Sequence, residues 1–173
     1  FHSDAGTKKD NTIVGTLMIY TLESDGSTDY PNGSSRYANR DLADLIQTQI
    51  VSDVRAQDEP QWTRRPLRNG NYAESRMPLV PSALLELLSH QNFADMRYGL
   101  DPRFRFTVSR AIYKGMLKYL AARDNRPYVV QPLAVDNFSV EFAGNDKVSL
   151  KWQPVADSLE PTAAPDSYIV YTR

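Results

Sequence analysis

Leu84-Leu85-Glu86-Leu87-Leu88 is the stretch on which the fold turns. A continuous apolar run this short, set between polar segments, reads as a strand covered on both faces, the kind found in parallel or mixed sheets. Ile13 to Thr21 (Ile-Val-Gly-Thr-Leu-Met-Ile-Tyr-Thr) reads the same way. Between these strands, residues 23–35 are rich in Ser, Gly, Asp, Asn and Pro and predict a surface loop. A helix follows from about Ser35 to Ala56: Leu42, Ile46, Ile50 and Val54 recur every four residues, Ala38 and Leu45 widen the stripe, and Ser34 or Ser35 is placed to cap its start. Residues 57–78 carry Pro60, Pro66, Asn69-Gly70 and Pro78 and read as a long loop holding at most one short strand. A loop of that length in a compact domain is usually functional or a sign that an element has been misassigned.

Beyond the decisive strand, Asn92 is placed to cap a short helix through Tyr98, with Gly99 as its terminator. Asp101-Pro102 is a strong helix start, an N-cap acid followed by Pro at the first helical position. Phe104, Val108, Ile112, Met116 and Leu120 form the expected buried stripe of that helix. Strands alternating with helices predict an α/β fold. Near Asp124–Pro132 the helical period gives way to strand alternation, in Phe138, Val140 and Phe142, then Val148, Leu150 and Trp152, then Tyr168, Val170 and Thr172. Gly144-Asn145-Asp146 is the turn between the first two runs. The expected boundary is near residue 127, giving domains 1–126 and 127–173.

The 173 residues are 41% apolar and 24% charged, which places the chain among folded globular proteins. The net charge of −1 gives no pull toward nucleic acid. No apolar run reaches the roughly 18–20 residues of a transmembrane segment. Cysteine is absent, which excludes disulfides, thiolate metal ligands and a cysteine nucleophile. Two histidines are present, His2 and His90.

Glu86 is the most informative residue. A carboxylate inside an apolar strand is paired, protonated or functional, because burying a bare charge is costly. The blander alternative is a Glu near the strand end that reaches solvent or an arginine. His2 lies in Phe1-His2-Ser3-Asp4-Ala5, where an apolar residue leads into a polar turn. If Phe1 ends a buried strand, His2 sits at that strand's carboxyl edge, where open α/β sheets place their ligands. Otherwise it is a surface histidine near a terminus. His90 reads as a solvent-exposed loop residue.

These residues carry a resemblance. Phe-His-Ser-Asp-Ala at 1–5 resembles the Ile-His-Ala-Asn-Ala turn of the zinc-dependent N-acetylmuramoyl-L-alanine amidases, and Gly15-Thr16-Leu17-Met18-Ile19-Tyr20 resembles the strand after it. Val80-Pro81-Ser82-Ala83-Leu84-Leu85-Glu86-Leu87 is similar to that family's Val-Pro-Ala-Val-Leu-Val-Glu strand. Ser89, Asn92 and the Asp101-Pro102 helix with Ala111-Ile112 and Gly115 resemble its closing segment. The resemblance covers roughly residues 1–122. It implies a three-layer amidase-like sheet with flanking helices and a zinc cofactor, with His2 as a metal ligand and Glu86 as the catalytic acid/base. Such a zinc has three protein ligands, two His and one Glu, with the fourth position left to water. The family's other two ligands lie upstream of the His turn. The fold is therefore expected to be truncated at its N-terminus, and this chain alone to hold zinc weakly and be inactive.

The loop with Trp62, Arg64, Arg65 and Tyr72 supplies substrate-binding candidates. Arg64 and Arg65 suit carboxylates, Tyr72 suits a sugar face, and Asn92 joins them. A solvated loop with one anchoring Trp is the alternative. The tail resembles the first strands of a fibronectin type III module, with Val148–Trp152 and Tyr168–Tyr171 as its second and third strands. That sandwich has about seven strands in roughly 100 residues, so a partial β-sandwich is expected. The functional expectation is a peptidoglycan hydrolase that cleaves the amide between N-acetylmuramic acid and L-alanine outside the cytoplasm, in the periplasm or at the cell surface. The alternative is a non-catalytic binding or accessory module of a polysaccharide-processing surface protein.

Overall fold

A computed structural model describes residues 2–5 and 9–171. The chain divides into two compact units, Phe1–Arg126 and Pro127–Arg173. The first is mixed α/β. Its four-stranded sheet has the spatial order β1 (His2–Asp4), β4 (Leu84–Ser89), β2 (Leu17–Tyr20), β3 (Arg68–Asn69). β1 and β4 are parallel, β4 and β2 antiparallel, β2 and β3 parallel. The expected strand over 13–21 is shorter than its apolar run, because Gly15 takes a positive φ of 74° just before it. A Cβ there would stand 2.2 Å from the Thr63 carbonyl oxygen, so the position requires glycine on two counts. Phe1 and, in the tail, Thr172 lie outside the described residues, and His2 opens β1 rather than following a strand.

Strand alternation divides the core. Met18, Leu85 and Leu87 face α1 (Tyr37–Gln57) and α4 (Pro102–Asp124), where they pack with Ile46, Ile50, Val54, Phe104, Val108 and the fully buried Trp62. Leu17, Ile19 and Leu84 face the opposite side under Tyr72, which precedes the four-residue helix α2 (Ala73–Arg76). Thr16 ties the elements together. It donates to the Leu87 carbonyl at 3.0 Å and accepts from Trp62 Nε1 at 2.8 Å.

The long helices form as expected, with differences at their ends and faces. The first helix has Arg36 at its N-cap position and no capping side chain, although Ser35 Oγ accepts from the Tyr37 N–H at 3.3 Å. Asp101 caps α4 by accepting from the Arg103 N–H at 2.8 Å. The buried face of α4 runs Phe104, Val108, Ala111, Gly115, Tyr119, and Met116 is 49% exposed. A strict four-residue spacing advances 400° and drifts about 40° per step off a 3.6-residue helix. Gly115 opposes Ile46, whose Cα would lie 2.7 Å from an added Cβ, so glycine sets how closely α1 and α4 approach. Asn92 caps α3 (Phe93–Gly99). Gly99 is helical rather than its left-handed terminator, and a Cβ there would meet Leu88 Cδ2 at 2.8 Å.

The second unit contains one antiparallel hairpin, β5 (Asp136–Gly144) with β6 (Lys147–Gln153). Gly144, Asn145 and Asp146 all have positive φ, as a tight hairpin turn demands. The expected third strand at Tyr168 is not formed among the described residues, although Trp152 and Tyr168 stack edge-on at 5.2 Å. The sequence predicts the opening of a sandwich, and what folds there among the described residues is a two-stranded ribbon.

Candidate active site

The sheet register brings the two chemical candidates together. His2 lies opposite Glu86 across the parallel β1–β4 pair, and Leu17 lies opposite Glu86 on its other side. His2 Nδ1 stands 3.8 Å from Glu86 Oε1. His2 is exposed, whereas the Glu86 side chain is only 12% exposed. Its Oε2 is buried and has no hydrogen-bond partner among the described residues.

Burial pushes the Glu86 carboxyl above the ordinary range for glutamate, and the nearby Asp4 carboxylate pushes it the same way. His2 and Arg65 pull in the opposite direction. Arg65 reaches in from the long loop, with Nη1 2.6 Å from Asp4 Oδ2. A carboxyl raised above its ordinary range and shielded from solvent is suited to moving a proton.

Sequence reasoning missed Glu74 on α2. Its Oε1 lies 3.3 Å from His2 Nε2, so the imidazole stands between two carboxylates. Nothing local marks Glu74, an ordinary polar residue in an ordinary polar loop. Asp95 was missed as well. It is fully buried and accepts from the N–H groups of Val14 (2.9 Å), Gly15 (3.2 Å) and Ser89 (2.9 Å), pinning the turn before β2 to the end of β4.

The other candidates separate. Arg64 points away from Arg65 and pairs with Asp44 of α1 at 2.5 Å. Tyr72 is half-buried over the small apolar cluster, with Arg68 above its ring at 5.9 Å. Asn92 is completely buried. Its Oδ1 accepts from the Asp95 N–H and its Nδ2 donates to the Thr12 carbonyl, so its amide holds the fold. His90 is exposed, with Nδ1 3.1 Å from Ser3 Oγ.

The donor set does not by itself fit a catalytic zinc, which takes three protein ligands. Among the described residues, no three His, Asp or Glu side chains are grouped to hold a metal ion. His2 is the one imidazole at the site.

Several solved structures share this architecture. The fold is that of the N-acetylmuramoyl-L-alanine amidases. AmiC2 of Nostoc punctiforme superposes with a TM-score of 0.52 at 18% identity, over 69% of this chain and 54% of that one. The amidase of Clostridium difficile 630 gives 0.53 at 20% identity, over 70% and 55%. The CwlD amidase from Clostridioides difficile, solved in complex with the GerS lipoprotein, gives 0.51 at 16%, over 70% and 52%. The chain thus spans about half the length of each of these amidases. No family model and no curated protein matches the sequence.

Proposed function

We propose that this chain carries part of the active centre of a peptidoglycan hydrolase that cleaves the amide between N-acetylmuramic acid and L-alanine. The observation that carries the reading is Glu86. It is a shielded carboxylate with a raised pKa and an unengaged oxygen beside His2 in an amidase fold. Its free oxygen takes the proton of the attacking water and passes it to the departing amine. The Arg65–Asp4 pair stands close enough to bias the charge of that carboxyl, Asp4 raising its pKa and Arg65 lowering it. On this reading His2 would be one ligand of a zinc whose chemistry, when bound, is to activate water, and the described residues supply too few donors to retain the metal by themselves.

A site of this kind works on cell wall, outside the cytoplasm, in the periplasm or at the cell surface. No helix among the described residues is long and apolar enough to cross a membrane. The second unit, in keeping with its resemblance to a fibronectin type III module, serves as spacer or surface-binding module.

The test is release of stem peptide from purified peptidoglycan, with zinc supplied, by wild-type and Glu86→Gln forms of this chain joined to an upstream segment that provides the family's other two metal ligands. Loss of a general acid/base lowers turnover by about 100–10,000-fold. Wild-type turnover in the Gln variant overturns the assignment. Binding of peptidoglycan with no hydrolysis by the wild type moves the protein to the accessory-module reading.

A further inference from the structure

β1 brings His2 to the site, yet the sheet alone holds this strand poorly. It is three residues long, lies at the edge of the described sheet, and pairs with β4 at two register points with an irregularity between them. Strands of globular proteins usually run about five or six residues, so a ladder this short fixes little by itself. Side chains supply the rest. Asp4 Oδ1 accepts from the Ala5 N–H at 2.8 Å, and Asp4 Oδ2 accepts from Arg65 Nη1 at 2.6 Å. His90, just past β4, donates its N–H to the Asp4 carbonyl at 3.2 Å and places Nδ1 3.1 Å from Ser3 Oγ.

The Arg65 end of this contact stands on a firm base. Thr16 donates its N–H to the Thr63 carbonyl and accepts from the Arg65 N–H, each at 3.0 Å, so residues 63–65 run beside Thr16 as a short parallel bridge. Extended backbone sends neighbouring side chains to opposite faces. Arg64 therefore goes to Asp44 on α1, and Arg65 goes to Asp4 on β1. Gln47, fully buried on α1, locks the bridge from behind. Its Nε2 donates to the Thr16 carbonyl at 2.8 Å and to the Arg65 carbonyl at 2.9 Å. The Arg65 and Asp4 side chains are 26% and 22% exposed, against 34% and 53% for Arg64 and Asp44, so water screens the Asp4 pair less. Asp4 also stands where the resembled turn has Asn, and an Asn would meet Arg65 without the charge.

We propose that Asp4 and Arg65 are positioning residues of the candidate active site: their ion pair clasps β1 to the loop before α2 and thereby keeps His2 beside Glu86. The clasp rests on the hydrolase reading for its purpose, since that reading needs His2 and Glu86 together. Arg65 then belongs to the frame of the site rather than to the substrate. Force passes from α1 through Gln47 to the loop, and from the loop through Arg65 to β1. The contact between Ser3 and His90 is a second, weaker tie on the same strand, so loss of the ion pair loosens β1 without unfolding the sheet.

The experiment is nuclear magnetic resonance on the intact, metal-free 173-residue chain, as wild type, Arg65→Gln, Asp4→Asn, the double variant and Arg65→Lys. Two signals report on β1: hydrogen exchange of the His90 N–H, and cross-relaxation between the His2 ring and the Glu86 methylene protons. Arg65→Gln should speed the His90 exchange about tenfold or more, the worth of one charge-assisted contact, and should weaken the His2–Glu86 signal. Asp4→Asn and the double variant should match it, because one interaction is lost in all three. Arg65→Lys should restore part of both signals. The N–H groups of Gly15 and Asp95, held by the Asp95 and Asn92 side chains, should keep their rates, whereas a general loss of stability would speed them as well. Unchanged His90 exchange in folded Arg65→Gln, an undiminished His2–Glu86 signal, or single effects that add in the double variant each overturns the proposal. None of these signals depends on hydrolysis. A clasp in a protein that cleaves nothing when joined to an upstream segment would keep the positioning pair and remove the hydrolase reading. Cleavage by a protein whose β1 ignores Arg65 would do the reverse.

Discussion

Removing one member of the Lys114–Asp53 pair should cost more than any other single change between the two long helices. Lys114 is fully buried on α4, and its Nζ lies 2.7 Å from Asp53 Oδ2 on α1, with side-chain exposures of 1% and 5%. The approach is close but off the line of a directed hydrogen bond, so the ammonium relies on charge attraction alone. Asp53 has a second contact, because Gln49 Nε2 donates to its Oδ1 at 2.8 Å. Lys118 Nζ in turn donates to Gln49 Oε1 at 2.6 Å, so the chain of contacts reaches the helix surface. Lys114→Met leaves a buried carboxylate with one neutral donor, and Asp53→Leu leaves a buried ammonium with nothing.

Stranding one charge of a buried pair costs about 3–5 kcal/mol. An unfolding entropy of about 2.1 cal/mol/K per residue sums to roughly 0.26 kcal/mol/K for the Phe1–Arg126 unit, so either single change should lower Tm by about 11–19 °C. The double variant strands no charge. It loses the Gln49 contact, at about 1–2 kcal/mol, and should recover most of the stability. Urea unfolding of the four proteins of the cycle, followed by circular dichroism, measures the coupling directly. If the double variant loses the sum of the two singles, the groups do not interact and the pair has been misread.

Three further outcomes follow from the geometry. Gly15→Ala should destabilise by about 2 kcal/mol or more, since the position combines positive φ with a backbone oxygen where the methyl would go, and an unfolding midpoint unchanged within error would refute this. In metal-free protein, Glu86→Gln should gain stability over the wild type as pH rises. The folded carboxyl is raised above 4.5, so the wild type carries no penalty below that value, an increasing one as pH climbs through the folded pKa and the full one above it, whereas Gln carries none. A stability difference that shrinks between pH 4 and pH 8 would contradict the direction. A peptide of residues 127–173 should exchange its β5–β6 amides quickly, because one two-stranded ribbon with Phe138, Val140 and Phe142 exposed is marginal alone. A cooperative monomeric transition would show that this unit is a complete domain.

What could be seen in the sequence was whatever repeats along it. The four-residue recurrence from Leu42 to Val54 and the Asp101-Pro102 start marked the two long helices, because helix periodicity and N-capping are local rules. The apolar run around Glu86 marked β4 for the same reason. What stayed hidden depends on partners distant in the chain. Asp95 holds three N–H groups that lie 6 to 81 residues away. Gly99 and Gly115 are needed for what stands opposite them, Leu88 and Ile46, and a single chain of letters does not show opposites. Buried Lys114 and Gln47 fall at positions where polar residues ordinarily face solvent, so their stripe is invisible to a hydropathy count. The pairing of His2 with Glu86 was reachable only through the resemblance.

That pairing is also what fixes the sheet. In Leu84-Leu85-Glu86-Leu87-Leu88, Leu85 and Leu87 enter the layer under α1 and α4, and Glu86 turns to the face covered only by α2 and Tyr72 among the described residues. A slip of one residue would drive Glu86 into the helix layer and send Leu85 to the thinly covered side. There Glu86 would meet Met18, Ile46 and Val108 in place of His2. A carboxylate without a partner among those side chains costs several kcal/mol or takes a proton. The one charged residue of the strand therefore works against every slip by an odd number of residues, since only even shifts keep it off the helix layer. The same residue that is suited to move a proton also decides which face of the strand meets the helices, so a conservative change at position 86 tests chemistry and register separately. Glu86→Gln leaves the strand polar at that point and the register intact, whereas Glu86→Leu removes the penalty on slipping and should broaden the amide spectrum of β1 and β4 as alternative pairings become populated.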